Sequence, residues 1–488
     1  MNFQRHNNIL ELNISHNISN TSDEHTLAHF GKRQHMIQPF LFNGGPTGAI
    51  TTYPIISAGV FAQILVMAEL SSMIPLSGGQ YNWVAILSPP SLSNLLSYST
   101  GWILVIAWQS ASASVVWLCS QMIIALASVN NPEYSSKIWH STLISFAIVA
   151  LGVLVNTYLG RIFPTLESLA FILHVVGFFV VLIVMIYLAP KADSSLVFNN
   201  FLNGGDFPND AQSVLVGIMP SMYSFIGVDA ATHIAEEIEN SARVIPRAMI
   251  MTVMIHAITA YAMMIAVMFC MGSVDNVLTS TLSFPIITVF EGITDSPKGA
   301  SVLVAIITVM TISGSIGLLA TASRMLWAFA REDGVPFSSH ISRIEPHTAL
   351  PVYAISITAC VSMLLALIGL SSTTTLNVLS GLTIAGFYSG FILSASMMLW
   401  RRLTTPDTNI PWGPFRLGKL GVPVTVFALA YSFIGWLFSF WPSVAVVSVK
   451  TFNWSLVVYF GVMFLAMGWW AVRARKTYKG PKMEISSH

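Results

Sequence analysis

Charge is what this chain has least of. Only 9% of its 488 residues are Asp, Glu, Lys or Arg, against 54% hydrophobic, and the mean hydropathy is +0.70. A soluble domain cannot cover such a composition with polar surface, so the solvent around most of the chain is lipid. The net charge of +1 provides no basic patch for a nucleic-acid partner. Cysteine is scarce too. Cys119, Cys270 and Cys360 fall inside apolar runs without C-x-x-C or Cys/His spacing, which excludes a disulfide framework and a zinc site and leaves them as packing residues. His, Asp and Glu form no metal-ligand constellation, so no metal or cofactor is expected. A membrane-embedded transferase, the enzyme alternative, would lack its reaction centre. The first forty or so residues are polar, rich in Asn, His and Ser, and contain no signal-peptide h-region, so insertion is expected to be directed by the first true span.

What the chain does have is long apolar runs. A helix crosses the hydrocarbon core with about 20 apolar residues, and eleven runs of that order occur. They are roughly Gly48 to Ser71, Gly101 to Val129, Ser141 to Tyr158, Pro164 to Ala189, Ser213 to Ala231, Pro246 to Met271, Gly299 to Ala330, Pro351 to Leu370, Leu376 to Trp400, Val422 to Trp441 and Trp454 to Arg473. They are apolar all round rather than striped, which separates spans from amphipathic surface helices. The fold class is therefore an all-α polytopic membrane protein. Phe284 to Ile293 is too short to span and reads as a re-entrant or extramembrane helix.

Lys and Arg in short loops mark the cytoplasmic side. One set of alternate loops holds Arg161, Arg243, Arg247, Arg331, Arg343, Arg401, Arg402, Arg416 and Lys419, continued by a basic C-terminal tail; the other holds only Lys137, Lys191, Lys298 and Lys450. That places the C-terminus inside and, by counting back through eleven spans, the N-terminal tail outside. Yet that tail carries Arg5, Lys32 and Arg33 and no export signal. One more span between about Gln38 and Asn43 would return it to the cytoplasm and make twelve. Sequons at Asn13, Asn17 and Asn20 point the other way, but N-x-S/T arises by chance in an Asn/Ser-rich tail. The expected organisation is a polar tail over 1–42, a transmembrane domain over 43–473 and a basic cytoplasmic tail over 474–488.

The fifth run is interrupted by Gly217, Pro220 and Gly227 and leads into Asp229, His233, Glu236 and Glu237. Broken helices point to binding sites, because unwound backbone at membrane depth is tolerated only against protein or a water-filled cavity. Tyr223, Ser224, Phe225, Ile226, Gly227 and Asp229 are thus the first substrate-binding candidates, the alternative being a Pro-kinked helix whose small residues allow close packing. Asp229 reads as a proton carrier, as the counter-charge to a substrate amine, or as half of an interhelical salt bridge. Trp108, Gln109, Ser112 and Ser313 are further pathway candidates, though Ser at helix crossings commonly packs. His174 and His256 invite a proton-relay reading, but a lone His in a bundle is more often a packing residue. Glu69 ends the first run and reads as a gate or anchor paired with Arg161 or Arg324. Glu236, Glu237, Arg243 and Arg247 supply the switchable ion pairs an inner gate needs, though a solvated loop has the same look.

Four motifs taken together, NGGP (Asn43 to Pro46), AELSSMIPLSGGQY (Ala68 to Tyr81), HVVGF (His174 to Phe178) and the fifth run leading into EEIENSARVIPR (Glu236 to Arg247), resemble the amino acid-polyamine-organocation superfamily. The likeness is nearest to its fungal branch of amino-acid, GABA and choline permeases, and runs from about Gly44 almost to the C-terminus. It implies the LeuT-type fold, two inverted five-helix repeats followed by two helices, with alternating access and usually proton coupling. In that fold the first and sixth helices are both broken and cradle the substrate together, and the fifth run here corresponds to the sixth. The family places its first helix between a stretch like LAHFGKRQ (Leu27 to Gln34) and NGGP; here the two are nearly contiguous. The resemblance thus implies eleven spans instead of twelve, the first helix missing, in agreement with the charge parity.

The expected function is a permease for an amino acid or related amine such as GABA or choline, with H+ and the lipid bilayer as partners. The competing reading is a non-transporting remnant, or a product of splicing or of a skipped exon. A multi-pass protein of the plasma membrane is expected, with a vacuolar or other internal membrane as the alternative.

Overall fold

A computed structural model describes residues 37–160, 162–346, 348, 350–370, 375–449 and 451–481. The N-terminal sequons, the LAHFGKRQ stretch, Arg161 and the side chain of Glu237 lie outside the described residues. Within them the chain is helical, with one isolated bridge between Asn43 and Asn203 and no strand.

Among the described residues ten helices are long and apolar enough to cross a bilayer, three of them counted with the short helical turns that extend them to Val352–Leu370, Gly418–Phe438 and Ser455–Thr477. They are α1 (Gly45–Met73), α2 (Ser93–Asn130), α3 (Ile138–Tyr158), α4 (Phe163–Leu188), α7 (Ser241–Cys270), α8 (Pro297–Arg331), α9 (Val352–Ala366), α10 (Thr375–Thr404), α11 (Gly421–Phe438) and α12 (Ser455–Trp469). The short helices α5 (Asp210–Gly217) and α6 (Met219–Tyr223) join the 3-10 helix Val228–Glu237 as an eleventh span, bent by 40° at a break. All eleven apolar runs are therefore spans of an integral multi-pass protein. Residues 37–43 hold a single short helix, Ile37–Phe42, ahead of Gly44. The stretch read as re-entrant or extramembrane forms the short helix Ile286–Thr294, buried against Leu303 and Val304 of α8.

Burial sorts the bundle. The most apolar windows of α1, α2 and α10 are 72%, 67% and 83% buried, whereas those of α4, α7 and α12 reach only 17%, 22% and 17%. The first three form the centre and the last three face lipid. Small residues allow this: a Cβ on Gly386 of α10 would stand 2.9 Å from Ala107 Cα, and one on Gly390 would stand 3.0 Å from Leu104, so α10 lies almost backbone to backbone on α2. Cys119 and Cys270 are buried as packing residues. Cys360 is not: it faces outward on α9, because an apolar run does not tell a lipid-facing position from an interior one.

The NGGP motif is a clamp at the outer end. Gly44 and Gly45 adopt φ 131° and 64°, and a Cβ on Gly45 would meet the Asn200 carbonyl at 2.5 Å. Gly44 N–H donates to Leu202 O (2.7 Å), Asn43 Oδ1 accepts from Gly205 N–H (3.0 Å), and Asn43 Nδ2 donates to Ser443 O (2.8 Å). Two outer loops are thereby tied to the start of α1.

At the opposite end the residues after α12 tuck back. Tyr478 is 1% exposed, its hydroxyl lies 2.6 Å from Ser97 Oγ, and its ring packs on Tyr98 and Phe329 at 5.6 and 5.9 Å. Burial pushes its phenol up from the usual tyrosine range, so the neutral form persists. Tyr478→Ala is expected to cost about 3–5 kcal/mol by loss of a buried ring, and Tyr478→Phe about 1 kcal/mol by loss of one hydrogen bond. Denaturant titration in detergent reads both; an alanine variant as stable as the parent would show that the segment peels away without consequence.

Candidate functional site

The break in the eleventh span has a local cause. Pro220 sits in the first turn of α6 and offers no N–H to the preceding turn. After Tyr223 the hydrogen bonds tighten to three-residue steps, Phe225 to Met222 and Ile226 to Tyr223, and Gly227 then takes φ 91°. The chain restarts as the 3-10 helix from Val228, so the sequence's choice of Gly227 as a breaker holds. Gly217 has another use: a Cβ there would collide with the Asn43 carbonyl, so this glycine lets α5 lie directly under the NGGP clamp.

The break opens onto a cavity of about 430 Å³ between α1, α10 and the inner half of the span. Val60, Gln63, Ile64 and Met67 come from α1, Phe387, Tyr388 and Phe391 from α10, and Met222, Phe225, Ile226, Gly227, Val228 and Asp229 from the break. Gln80, the first residue of the short helix Gln80–Leu87, closes the polar end. Its Nε2 donates to Asp229 Oδ2 at 2.7 Å, while its Oε1 accepts no hydrogen bond from the described residues. Gln80 and Asp229 are only 1% and 5% exposed. A carboxylate and a bare amide oxygen together at the end of an otherwise apolar, aromatic-lined cavity form a cation-binding arrangement.

The SGGQY portion of the second motif accounts for this seat. Ser77 Oγ donates to Glu236 Oε1 at 2.6 Å, Ser77 O is 2.9 Å from His233 Nδ1, and Gly79 approaches Thr232 Oγ1 so closely that a Cβ would lie at 3.1 Å. The loop after α1 thus meets the inner half of the broken span at Asp229, Thr232, His233 and Glu236.

Of the other residues singled out from sequence, Phe225, Ile226 and Gly227 join Asp229 at this cavity. Tyr223 is at the break but borders a separate outer cavity of about 730 Å³ between α6, the start of α10 and the α11–α12 loop, and its hydroxyl contacts Ser114 Oγ of α2. Ser224 donates to Ser221 O and lies 3.4 Å from His256 Nε2. His256 also stacks edge-on with Phe225, whereas His174 is exposed on α4, so the two do not form a relay with each other through a hydrogen bond. Trp108 is wholly buried and donates to His233 Nε2 (3.0 Å). Gln109 and Ser112 point towards α9, onto Thr358 and Ser362. Ser313 is half-buried beside Gly314, around which a Cβ would meet nothing within 4 Å.

The ion pairs differ from those expected. Glu69 pairs with Arg402 of α10 rather than with Arg324, Arg161 lying outside the described residues, and its other oxygen accepts Leu417 N–H at 2.8 Å. Glu236 is held by Arg331 of α8 at 3.3 Å as well as by Ser77, while Arg243 and Arg247, close in sequence, are exposed on the first turns of α7. Arg331 and Arg402 escaped the sequence reading because nothing local links them to their partners. Arg402 and Arg416 stand over the Trp412 ring at 4.9 and 4.2 Å. Arg416 also hydrogen-bonds Asp407, holding that carboxyl below the usual carboxylate range.

The profile of the amino acid permease family matches residues 35–464. A Macrophomina phaseolina protein named provisionally for amino acid/polyamine transport is 30% identical over 415 residues, 85% of this chain and 91% of its own length. The choline transporter of Saccharomyces cerevisiae is 28% identical over 84% of this chain and 72% of its own, and an uncharacterized amino-acid permease of Schizosaccharomyces pombe is 28% identical over 85% and 73%. A multi-pass helical bundle with a broken span at its buried cavity, matched by this profile over most of its length, belongs to the amino acid permease family of the amino acid-polyamine-organocation superfamily.

Proposed function

We propose that this permease is a secondary active transporter of an amino acid or related amine such as GABA or choline, and that the substrate ammonium is received by Asp229 and Gln80 Oε1. The single observation that carries the reading is the convergence of that carboxylate and that unpaired amide oxygen on an aromatic-lined cavity at the helix break. Phe225, Phe387 and Phe391 suit an alkylammonium group, and the choline transporter among the relatives supports an amine. Transport proceeds by alternating access, with Glu69–Arg402 and Glu236–Arg331 as ties on the basic face and H+ as coupling ion.

Purified protein in proteoliposomes is expected to take up labelled choline or GABA saturably, faster with the outside acidic. Saturable uptake indifferent to a pH gradient would remove the proton from this reading.

One observation favours a second reading, a product with an incomplete cradle. Residues 1–43, ahead of the NGGP motif, contain no apolar run of spanning length. Long-read sequencing of the transcript across the codons for Gln38 to Asn43 separates the two. An in-frame apolar exon of about 25–35 residues restores a complete transporter. An uninterrupted transcript together with absent uptake favours the remnant.

A further inference from the structure

His233 lies one turn beyond Asp229 on the inner half of the broken span and is 3% exposed. Both ring nitrogens are engaged: Nδ1 is 2.9 Å from the Ser77 carbonyl oxygen, and Nε2 is 3.0 Å from the indole nitrogen of Trp108. A carbonyl can only accept and an indole N–H can only donate. The partners therefore dictate a neutral ring with its hydrogen on Nδ1 and its lone pair on Nε2.

A proton arriving at Nε2 sets two N–H donors against each other and removes the bond to Trp108. That bond ties α2 to the inner half of the span. The outer half is tied to the same helix through Tyr223 and Ser114, two hydroxyls that keep their contact in neutral and acidic conditions alike. Trp108 cannot simply swing to water: it is fully buried, edge-on to His233 at 5.1 Å and to Phe387 at 4.8 Å. Protonation thus loosens one half of the broken span and leaves the other attached.

We propose that His233 is the proton-carrying group of this transporter, and that proton binding at Nε2 releases the inner half of the broken span from Trp108 so that the cavity opens to the basic face. This rests on the proton-coupled reading above and divides the work: Asp229 meets the substrate, His233 meets the proton.

The charged surroundings permit the step. Asp229 lies about one turn before His233 on the same helix, its carboxylate bound to Gln80. Glu236 is turned to Ser77 and Arg331 of α8. Next to the ring, the loop after α1 contributes Ser77 and Gly79, and α2 contributes Trp108. Glu69 of α1 is held by Arg402, Arg243 and Arg247 of α7 are exposed, and His256 of α7 faces Ser224 and Phe225.

The test uses the full chain in proteoliposomes with labelled choline, comparing counterflow exchange with accumulation driven by an acidic exterior. His233→Gln keeps a donor for Ser77 and an acceptor for Trp108 but cannot hold the proton. It is expected to retain counterflow and lose gradient-driven accumulation. Trp108→Phe removes the bond that favours the neutral ring, so the pH of half-maximal uptake should rise by about 0.5–1 unit, the worth of one hydrogen bond. Accumulation by His233→Gln equal to the parent, or an unchanged pH profile in Trp108→Phe, overturns the proposal.

Solid-state ¹⁵N NMR of histidine-labelled protein, with His233→Gln to assign the signal, decides the matter even if the parent exchanges no choline, a result that would sink the transport reading instead. Conversion of the His233 ring to imidazolium between about pH 8 and about pH 4 supports the proposal; a ring that stays in its Nδ1–H form overturns it.

Discussion

Glu69→Ala is expected to destabilise the protein by about 3–5 kcal/mol, because it leaves the Arg402 guanidinium buried without its counter-charge. The Glu69 side chain is 0% exposed and that of Arg402 6%. One Glu69 oxygen meets Arg402 and the other accepts from the Leu417 backbone, so the carboxylate fastens both α10 and the loop before α11 to the end of α1. Arg402 gains a little more from the Trp412 ring beneath it, but a cation–π contact of about 0.5–2 kcal/mol does not replace an ion pair lost from a buried site. Glu69→Leu combined with Arg402→Met should recover most of the loss, since an apolar pair of similar volume leaves no charge stranded. Denaturant titration in detergent measures all three proteins. A Glu69→Ala variant within about 0.5 kcal/mol of the parent, the range of ordinary surface substitutions, would show that the pair does not hold these elements.

Asp229→Asn is expected to weaken binding of ammonium-bearing substrates about ten- to hundredfold, the worth of one charge-assisted hydrogen bond of about 1.5–3 kcal/mol. Asparagine retains a carbonyl oxygen to accept from Gln80 Nε2, so the seat between the loop after α1 and the inner half persists and the loss reports on charge. Equilibrium binding of labelled choline in detergent reads the affinity without requiring turnover. Unchanged binding would take Asp229 out of the cradle. The variant also separates the two buried groups: Asp229→Asn should raise the concentration needed for half-saturation, while His233→Gln should alter the response to a proton gradient.

Much of the fold was legible in the residues. Whether a segment of about 20 residues partitions into hydrocarbon is a sum over that segment, so all eleven spans could be read directly, and the clustering of Gly217, Pro220 and Gly227 located the broken one. The same clustering brought Tyr223 to Asp229 into view as one group, although Tyr223 turned out to face the outer cavity and Asp229 the inner one. Gln80 stood inside a quoted motif without a role, because its role depends on a carboxylate 149 residues further along.

The sequence by itself determined that this is an apolar bundle of eleven spans, where one of them breaks, and that four motifs along it resemble one superfamily. The tertiary structure decided who meets whom: Arg402 rather than Arg324 at Glu69, Arg331 rather than Arg243 or Arg247 at Glu236, and Trp108 with Ser77 on the two nitrogens of His233. The reason is physical. Insertion and helix breaking follow from local free energies that neighbouring residues supply, whereas the partner of a buried charge is chosen by which helices pack together and at what depth. That choice depends on backbone approaches such as Gly386 on Ala107, between residues far apart in the chain.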